Sequence, residues 1–347
     1  MILENIIQKF CINGNAVQHA PYGNGHINAT YLVACDTGSR YILQKINKYV
    51  FKNPEQLMQN IVLVTEHLKK SAQGQVLTVV PCTDGQMWHL DESGEFWRMY
   101  DYVEESICKE AVDSPEIFRE SGVAFGGFIN QMADFDATKL VETIPRFHDT
   151  PHRYLALHDA VKADPLGRAK LVQREIDFAL AREEFAATLI KLQKSGDMPT
   201  RVTHNDSKLN NVLFHHESMK ALCVIDLDTV MPGLATSDFG DSVRFGATSA
   251  AEDERDLTKV NFLLPLYRVY REGFMEACSS LNACEIEHLP HGAKMMTLEN
   301  GVRFLTDYLG GDTYFKIHRE GHNLDRCRTQ FKLVEDMEKV WKEMTRL

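Results

Sequence analysis

An α+β fold in two lobes is predicted, with a small β-rich amino-terminal lobe and a larger, mainly helical carboxy-terminal lobe, and three observations predict it. Up to residue 102, short runs rich in Val, Ile and aromatics (NATYLVAC, RYILQKI, VLTVVP, MWHL, FWRMYDYV) alternate with turn residues, as antiparallel strands do. Beyond residue 104, apolar residues recur three and four apart, the helical period. Each half contains one interruption. The first is a helical stretch at 54–70 with Leu57, Ile61, Val64 and Leu68 on one stripe, and the second is a strand pair at 212–214 and 221–228 around the polar loop HHESMK.

The expected division is therefore 1–103 and 104–347, with a crossing near 102–106. In the second part, Ser114 and Pro115 form an N-cap and first-turn pair for a helix carrying Phe118, Phe125, Ile129 and Met132. Further helices are expected at 169–195, 252–274, 293–309 (stopped by Gly310 and Gly311) and from 325 onward.

The chain has 347 residues and 44% hydrophobic content, enough for a substantial core. Lys and Arg total 38 against 49 Asp and Glu, and a net charge of -11 argues against nucleic-acid or membrane partners. Eight scattered cysteines without a C-x-x-C pair read as reduced thiols. The start, MILENIIQKF, lacks a basic leader, and no later stretch is a membrane span, so a cytoplasmic protein is expected.

Chemistry concentrates in His204-Asn205-Asp206-Ser207-Lys208-Leu209-Asn210-Asn211, followed by Ile225-Asp226-Leu227-Asp228 at the end of an apolar strand. Phosphoryl transfer calls for one carboxylate near the attacking hydroxyl, and for an amide oxygen and a second carboxylate as hard ligands for magnesium. The order H-x-D-x-x-x-x-N and then a strand-end Asp supplies all three: Asp206 as base, Asn211 and Asp226 for Mg2+. His204 is read as a brace of the loop. Strand alternation places Asp228 on the side of Asp226, either as a second ligand, as a substrate contact, or as an exposed strand-end charge.

Asn24-Gly25 within Tyr22-Gly23-Asn24-Gly25-His26-Ile27-Asn28 signals a hairpin that can cover phosphates with bare backbone N–H groups. On RYILQKI, Gln44 and Lys45 face opposite sides, and Gln44 is aligned with the nucleotide. Pro151 makes HDTPH a turn whose two histidines need not converge on a metal. Arg303 and Asp307 lie one turn apart on an apolar helix, either paired with each other or gripping a polyol.

The glycine turn, HNDSKLNN and IDLD together resemble the aminoglycoside phosphotransferase and choline kinase superfamily, which has a bilobal protein-kinase-like fold. The runs PYGNGHINATYLV, FRESGVAFGGF, FHDTPHR, RVTHNDSKLNNVL, VIDLDTVMPG, DFGDSVRFGA and GVRFLTDYLGGDTYF are similar to the N-acetylhexosamine 1-kinases within it. The resemblance implies ATP- and Mg2+-dependent phosphorylation of N-acetylglucosamine or N-acetylgalactosamine at the anomeric hydroxyl. It carries the base to Asp206, the Mg2+ ligands to Asn211 and Asp226, and sugar contacts to His26, Asp206, Phe245, Arg303 and Tyr314; ATP contacts are expected at Gly23, Asn24, Gly25, Asn28, Gln44, Tyr100 and Tyr102, with Asp228 a further substrate candidate. The alternatives are a kinase of another small alcohol (choline, amino alcohol or aminoglycoside type) and a nucleotide-binding pseudokinase. A choline site would want a cage for the cation, and a pseudokinase typically lacks one of Asp206, Asn211 and Asp226, all present here.

Overall fold

The computed structural model describes residues 2–23, 27–71 and 74–346. The amino-terminal part comprises α1 (Ile2–Ile7), β1 (Ala16–Pro21), β2 (Ala29–Cys35), β3 (Arg40–Ile46), α2 (Pro54–Ser71), β4 (His89–Leu90) and β5 (Phe96–Asp101). Its five strands pair antiparallel in the order β1-β2-β3-β5-β4. The pairing of Pro21 with Tyr31 brackets the glycine turn, of which Asn24, Gly25 and His26 lie outside the described residues. Helix α2 buries Leu57, Ile61, Val64 and Leu68, the stripe its period lays out. The run 76–81 is not a regular strand. It makes one isolated bridge, Val79 to Tyr100, and ends in Pro81, which has no N–H to extend a ladder.

The carboxy-terminal part comprises β6 (Ser106–Cys108), α3 (Pro115–Gln131), α4 (Thr150–Ala163), α5 (Gln173–Leu180), α6 (Glu183–Ala186), α7 (Thr188–Ser195), β7 (Arg201–Thr203), β8 (Val212–His215), β9 (Ala221–Val224) and β10 (Met231–Gly233). Five helices follow: α8 (Ala235–Gly246), α9 (Leu264–Ala277), α10 (Ala283–Gly310), α11 (His322–Lys339) and α12 (Trp341–Thr345). Ser114 accepts the Ile117 N–H and Pro115 sits in the first turn, so α3 starts where its caps say. The expected helix at 169–195 is three short ones. That at 252–274 begins only at Leu264, because Pro265 fits a first turn and not an interior. The stretch 293–309 is the second half of α10, which starts on a capping box of Asn282 and Glu285 and stops at Gly311 with φ 102°. The mixed α+β class, with a sheet in the first part and helices in the second, is as expected.

One buried cluster joins the two parts, with Ile46 and Tyr100 from the sheet packing with Phe125, Phe239, Tyr270 and Met337 from the helices. Helices α8 and α10 cross closely. A Cβ on Gly240 would stand 2.2 Å from the Gly292 carbonyl, and one on Gly292 2.0 Å from that of Thr236, so only glycine permits this approach. That contact sets α8, which supports the HNDSKLNN loop, against the helix that carries Arg303. No helix among the described residues is long and apolar enough to cross a membrane.

Candidate active site

The loop from His204 to Asn211 is held from three sides. The buried Asp238 of α8 accepts the N–H groups of His204 and Asn205, both at 2.7 Å. Asn205 has φ 63°, a left-handed conformation that asparagine tolerates. His204 is fully buried. Its Nδ1 accepts the Asp206 N–H at 3.3 Å, so Nε2 carries the proton and donates to the Ile225 carbonyl at 2.8 Å. The imidazole thus pins the loop to the residue before Asp226, as a brace should. Thr229 Oγ1 donates to the His204 carbonyl at 2.7 Å, and Asn205 Nδ2 to the Thr229 carbonyl at 2.9 Å.

Within this frame Asp206 is half-buried, with Lys208 Nζ 2.7 Å from Oδ1 and Asn211 Nδ2 donating to Oδ2 at 3.0 Å. Burial pushes the Asp206 carboxyl up, but the Lys208 ammonium and the Asn211 amide outweigh it and hold it below the usual carboxylate value. A charged carboxylate is what a proton acceptor requires. Lys208 was not singled out from the sequence, although it stands inside the motif two residues past Asp206.

Strand β9 stops at Val224, and Asp226 has φ 58° at the head of a 3-10 turn, Leu227–Thr229. The expectation that Asp226 and Asp228 share one side of an extended strand is therefore corrected, because the left-handed residue sends them to different surroundings. Asp226 is exposed and its carboxylate makes no hydrogen bond to the described residues. The surrounding protein walls, then Asp228 and Asp206, push it up to about 7. Asp228 is buried, and both its oxygens are engaged by protein: Arg98 Nη1 bonds Oδ1 and Asn28 Nδ2 donates to Oδ2 at 2.6 Å.

Among the described residues no cluster of three His, Cys, Asp or Glu could hold a metal by itself. A magnesium ion that arrives with nucleotide phosphates needs only one or two protein ligands. Asp226, crowded by like charge, and Asn211, whose Oδ1 has no partner among the described residues, offer hard oxygens that fit such an ion.

The other expected nucleotide contacts are dispersed. Asn28 donates its amide to Asp228 and accepts the Asn47 N–H at 2.9 Å. Gln44 donates to Thr30 Oγ1 and accepts from Arg98 Nε, both at 3.0 Å. Tyr100 has a buried hydroxyl without a partner among the described residues, while Tyr102 lies under Arg40 with its hydroxyl 3.3 Å from that of Tyr22. Gly23 has φ 75° with open space around it.

On the other side, Arg303 does not pair with Asp307. Asp307 instead accepts the N–H groups of Thr313, Tyr314 and Phe315 at 2.8–2.9 Å and Asn323 Nδ2 at 2.9 Å, folding that loop back over the helix. The loop brings Phe315 within 5.4 Å of the Arg303 guanidinium, and Phe147 stands 5.4 Å away as well. Arg303 makes no hydrogen bond or ion pair with the described residues. Tyr314 is 69% exposed with its ring edge on Phe315, and Phe245 is half-buried against the main core.

His148 links this wall to the loop. Its Nδ1 lies 2.9 Å from Glu299 Oε1 and its Nε2 3.2 Å from the Asn205 carbonyl. Both partners are acceptors, so the ring is doubly protonated, and the Glu299 carboxylate overcomes burial to raise it. His152 lies in the first turn of α4, capped by Asp149, and the two histidines do not converge. No sequence signal pairs His148 with Glu299, 151 residues apart. Two surface cavities of about 620 and 520 Å3 share no residue with the loop, so the chemistry of the side chains marks this site and cavity size does not.

A two-part α+β fold with a carboxylate, an amide and a second carboxylate at the strand end defines a kinase-like phosphotransferase. The chain matches the phosphotransferase enzyme family (APH) over residues 19–272, and it belongs to that family. Its fold is shared by a microcompartment-associated aminopropanol kinase (16% identity, 99% of this chain and 98% of the other, TM-score 0.65). It is also shared by an amicoumacin kinase in complex with AMP-PNP and Ca2+ (13%, 96% and 92%, 0.64), and by choline kinase from Cryptosporidium parvum Iowa II (12%, 99% and 96%, 0.61). The protein is thus a kinase-like phosphotransferase by family.

Proposed function

We propose that this kinase transfers the γ-phosphoryl group of ATP to the anomeric hydroxyl of an N-acetylhexosamine, giving a sugar 1-phosphate. The observation that carries the acceptor class is the Arg303 guanidinium, set between Phe147 and Phe315 and making no hydrogen bond or ion pair among the described residues. Arg153 stands close enough that Arg303, after burial, holds its guanidinium below the usual value, and its Nε is buried without a partner. The Glu299 carboxylate is already bound by His148 and Thr150. Such a wall repels a cationic amino alcohol or choline. It suits a neutral sugar whose hydroxyl and acetamido oxygens accept hydrogen bonds and whose methyl group packs on aromatic rings.

Asp206 orients the hydroxyl and takes its proton late, Lys208 holds that carboxylate in place, and Asn211 and Asp226 hold Mg2+. The ion neutralises charge on the phosphates when bound, and alignment supplies most of the remaining acceleration. The nucleotide lies between residues 1–103 and the helical part, beside Gly23 at the start of the glycine turn.

The test is turnover of N-acetylglucosamine and N-acetylgalactosamine against choline and aminopropanol, with the phosphate position read by NMR. A sugar 1-phosphate at a kcat/KM at least about a hundredfold above either amine is expected, and preference for an amine overturns the reading. Arg303→Ala should weaken apparent sugar affinity about ten- to two-hundredfold, with the KM for ATP unchanged.

A further inference from the structure

On the third strand Gln44 pairs in register with Arg98 of β5 and accepts its Nε–H. Arg98 is 1% exposed, which makes it one of the largest fully buried side chains in the protein. Nature rarely buries a guanidinium without specific use, since desolvation costs about as much as its pairing returns.

Its contacts form a chain that leaves the sheet. Thr30 on β2 accepts from Gln44 on β3, Gln44 accepts from Arg98 Nε, and Arg98 Nη1 reaches Asp228 in the turn 227–229. Asn28, just before β2, holds the other oxygen of Asp228 and is itself fixed by the Asn47 N–H. The same turn is tied from the opposite side to the catalytic loop through Thr229 and Asn205, and Asn60 of α2 donates to the next carbonyl, Val230, at 3.0 Å. Asp226 heads that turn in a left-handed conformation, which persists only when its surroundings over-determine it.

We propose that Arg98 is a positioning residue for the metal–nucleotide site: by gripping Asp228 across the boundary between sheet and helices, it fixes the turn that presents Asp226. This rests on the reading of Asp226 as a metal ligand. Arg98 acts through Asp228 and the backbone, so it sets how well the protein holds a divalent ion on the nucleotide without binding the phosphates itself.

The experiment uses the full chain and Mn2+ as a paramagnetic probe, titrated in the presence of AMP-PNP, with thermal melting alongside. Arg98→Met should weaken Mn2+ binding about ten- to a hundredfold, as loss of outer-shell support does, and should lower the melting temperature because Asp228 is left buried and unpaired. The double variant Arg98→Met with Asp228→Leu replaces the pair by apolar groups, so it should recover most of the melting temperature but not the Mn2+ affinity. Arg98→Lys should recover part of both. Wild-type Mn2+ affinity in the double variant overturns the proposal in favour of a purely structural pair. A loss of metal-free AMP-PNP affinity as large as the loss seen with Mn2+ overturns it in favour of direct phosphate contact. Failure of the underlying reading is distinguishable, because Asp226→Asn would then keep wild-type Mn2+ affinity.

Discussion

Asp226 and Asp228 stand two residues apart in one turn and meet opposite surroundings. The first is exposed, unbonded and crowded by like charge, whereas the second is buried and bonded through both oxygens to Arg98 and Asn28. The same side chain is available for chemistry in one place and committed to architecture in the other. What separates them is a single left-handed residue that turns the chain out of the strand. Perturbation without hydrogen-bonded satisfaction marks a functional carboxylate better than its distance along the sequence.

That contrast breaks most sharply under substitution. Asp226→Ala should abolish turnover, to below about a thousandth of wild type, while leaving the melting temperature within a few degrees, because it removes a charge that no protein partner satisfies. Activity near wild type at ordinary Mg2+ would sink the assignment.

Asp228→Asn should do the reverse in the first instance. It leaves the Arg98 guanidinium buried without its counter-charge, at a cost of about 3 to 5 kcal/mol in stability, read from denaturant unfolding of the ligand-free chain. An unchanged midpoint would show that the pair is not closed in solution.

Asp206→Asn, which keeps size and removes the base, should lower kcat by about two orders of magnitude with AMP-PNP binding retained. Equal loss of nucleotide binding would mean that Asp206 serves the phosphates instead.

The smallest effect concerns pH. Asp226 is raised to about 7 in the folded, ligand-free chain, against about 3.9 when unfolded. Its contribution is therefore fully present below the unfolded value and is lost as pH rises through about 7, because the unfolded chain gives up the proton first. Asp226→Asn should melt a few degrees above wild type at pH 8, and the gap should close toward pH 4. In the wild type, protons compete with the ion, so apparent Mn2+ affinity should climb through the same range. A gap independent of pH would remove the crowding of Asp226 from the argument.

Much of this was legible in the sequence where the information is contiguous. The residues of the loop and strand end sit within one short segment, and the brace role of His204 follows from its place beside them. The stripe of α2 and the cap of α3 were equally local. What escaped depends on partners far away in the chain. Asp228 reads as a strand-end charge until Arg98, 130 residues earlier, is seen against it. Arg303 and Asp307 have the spacing of a helical pair, yet the backbone of residues 313–315 outcompetes Arg303 with three converging N–H groups. The long helix expected at 169–195 failed because an average period does not reveal where tertiary contacts break a helix into short segments.

Helix α10 has a consequence for which changes of length the protein can tolerate. Glu285 in its first turn receives Arg201 at the start of β7, and Glu299, about 21 Å further along, receives the histidine that holds Asn205. Both ends of the segment entering the catalytic loop are therefore read off one rigid ruler. Inserting or deleting a single residue between 285 and 299 would rotate one mark against the other by about 100°, so that no side-chain adjustment restores both. Single-residue indels in that interval should be lost from any selected library.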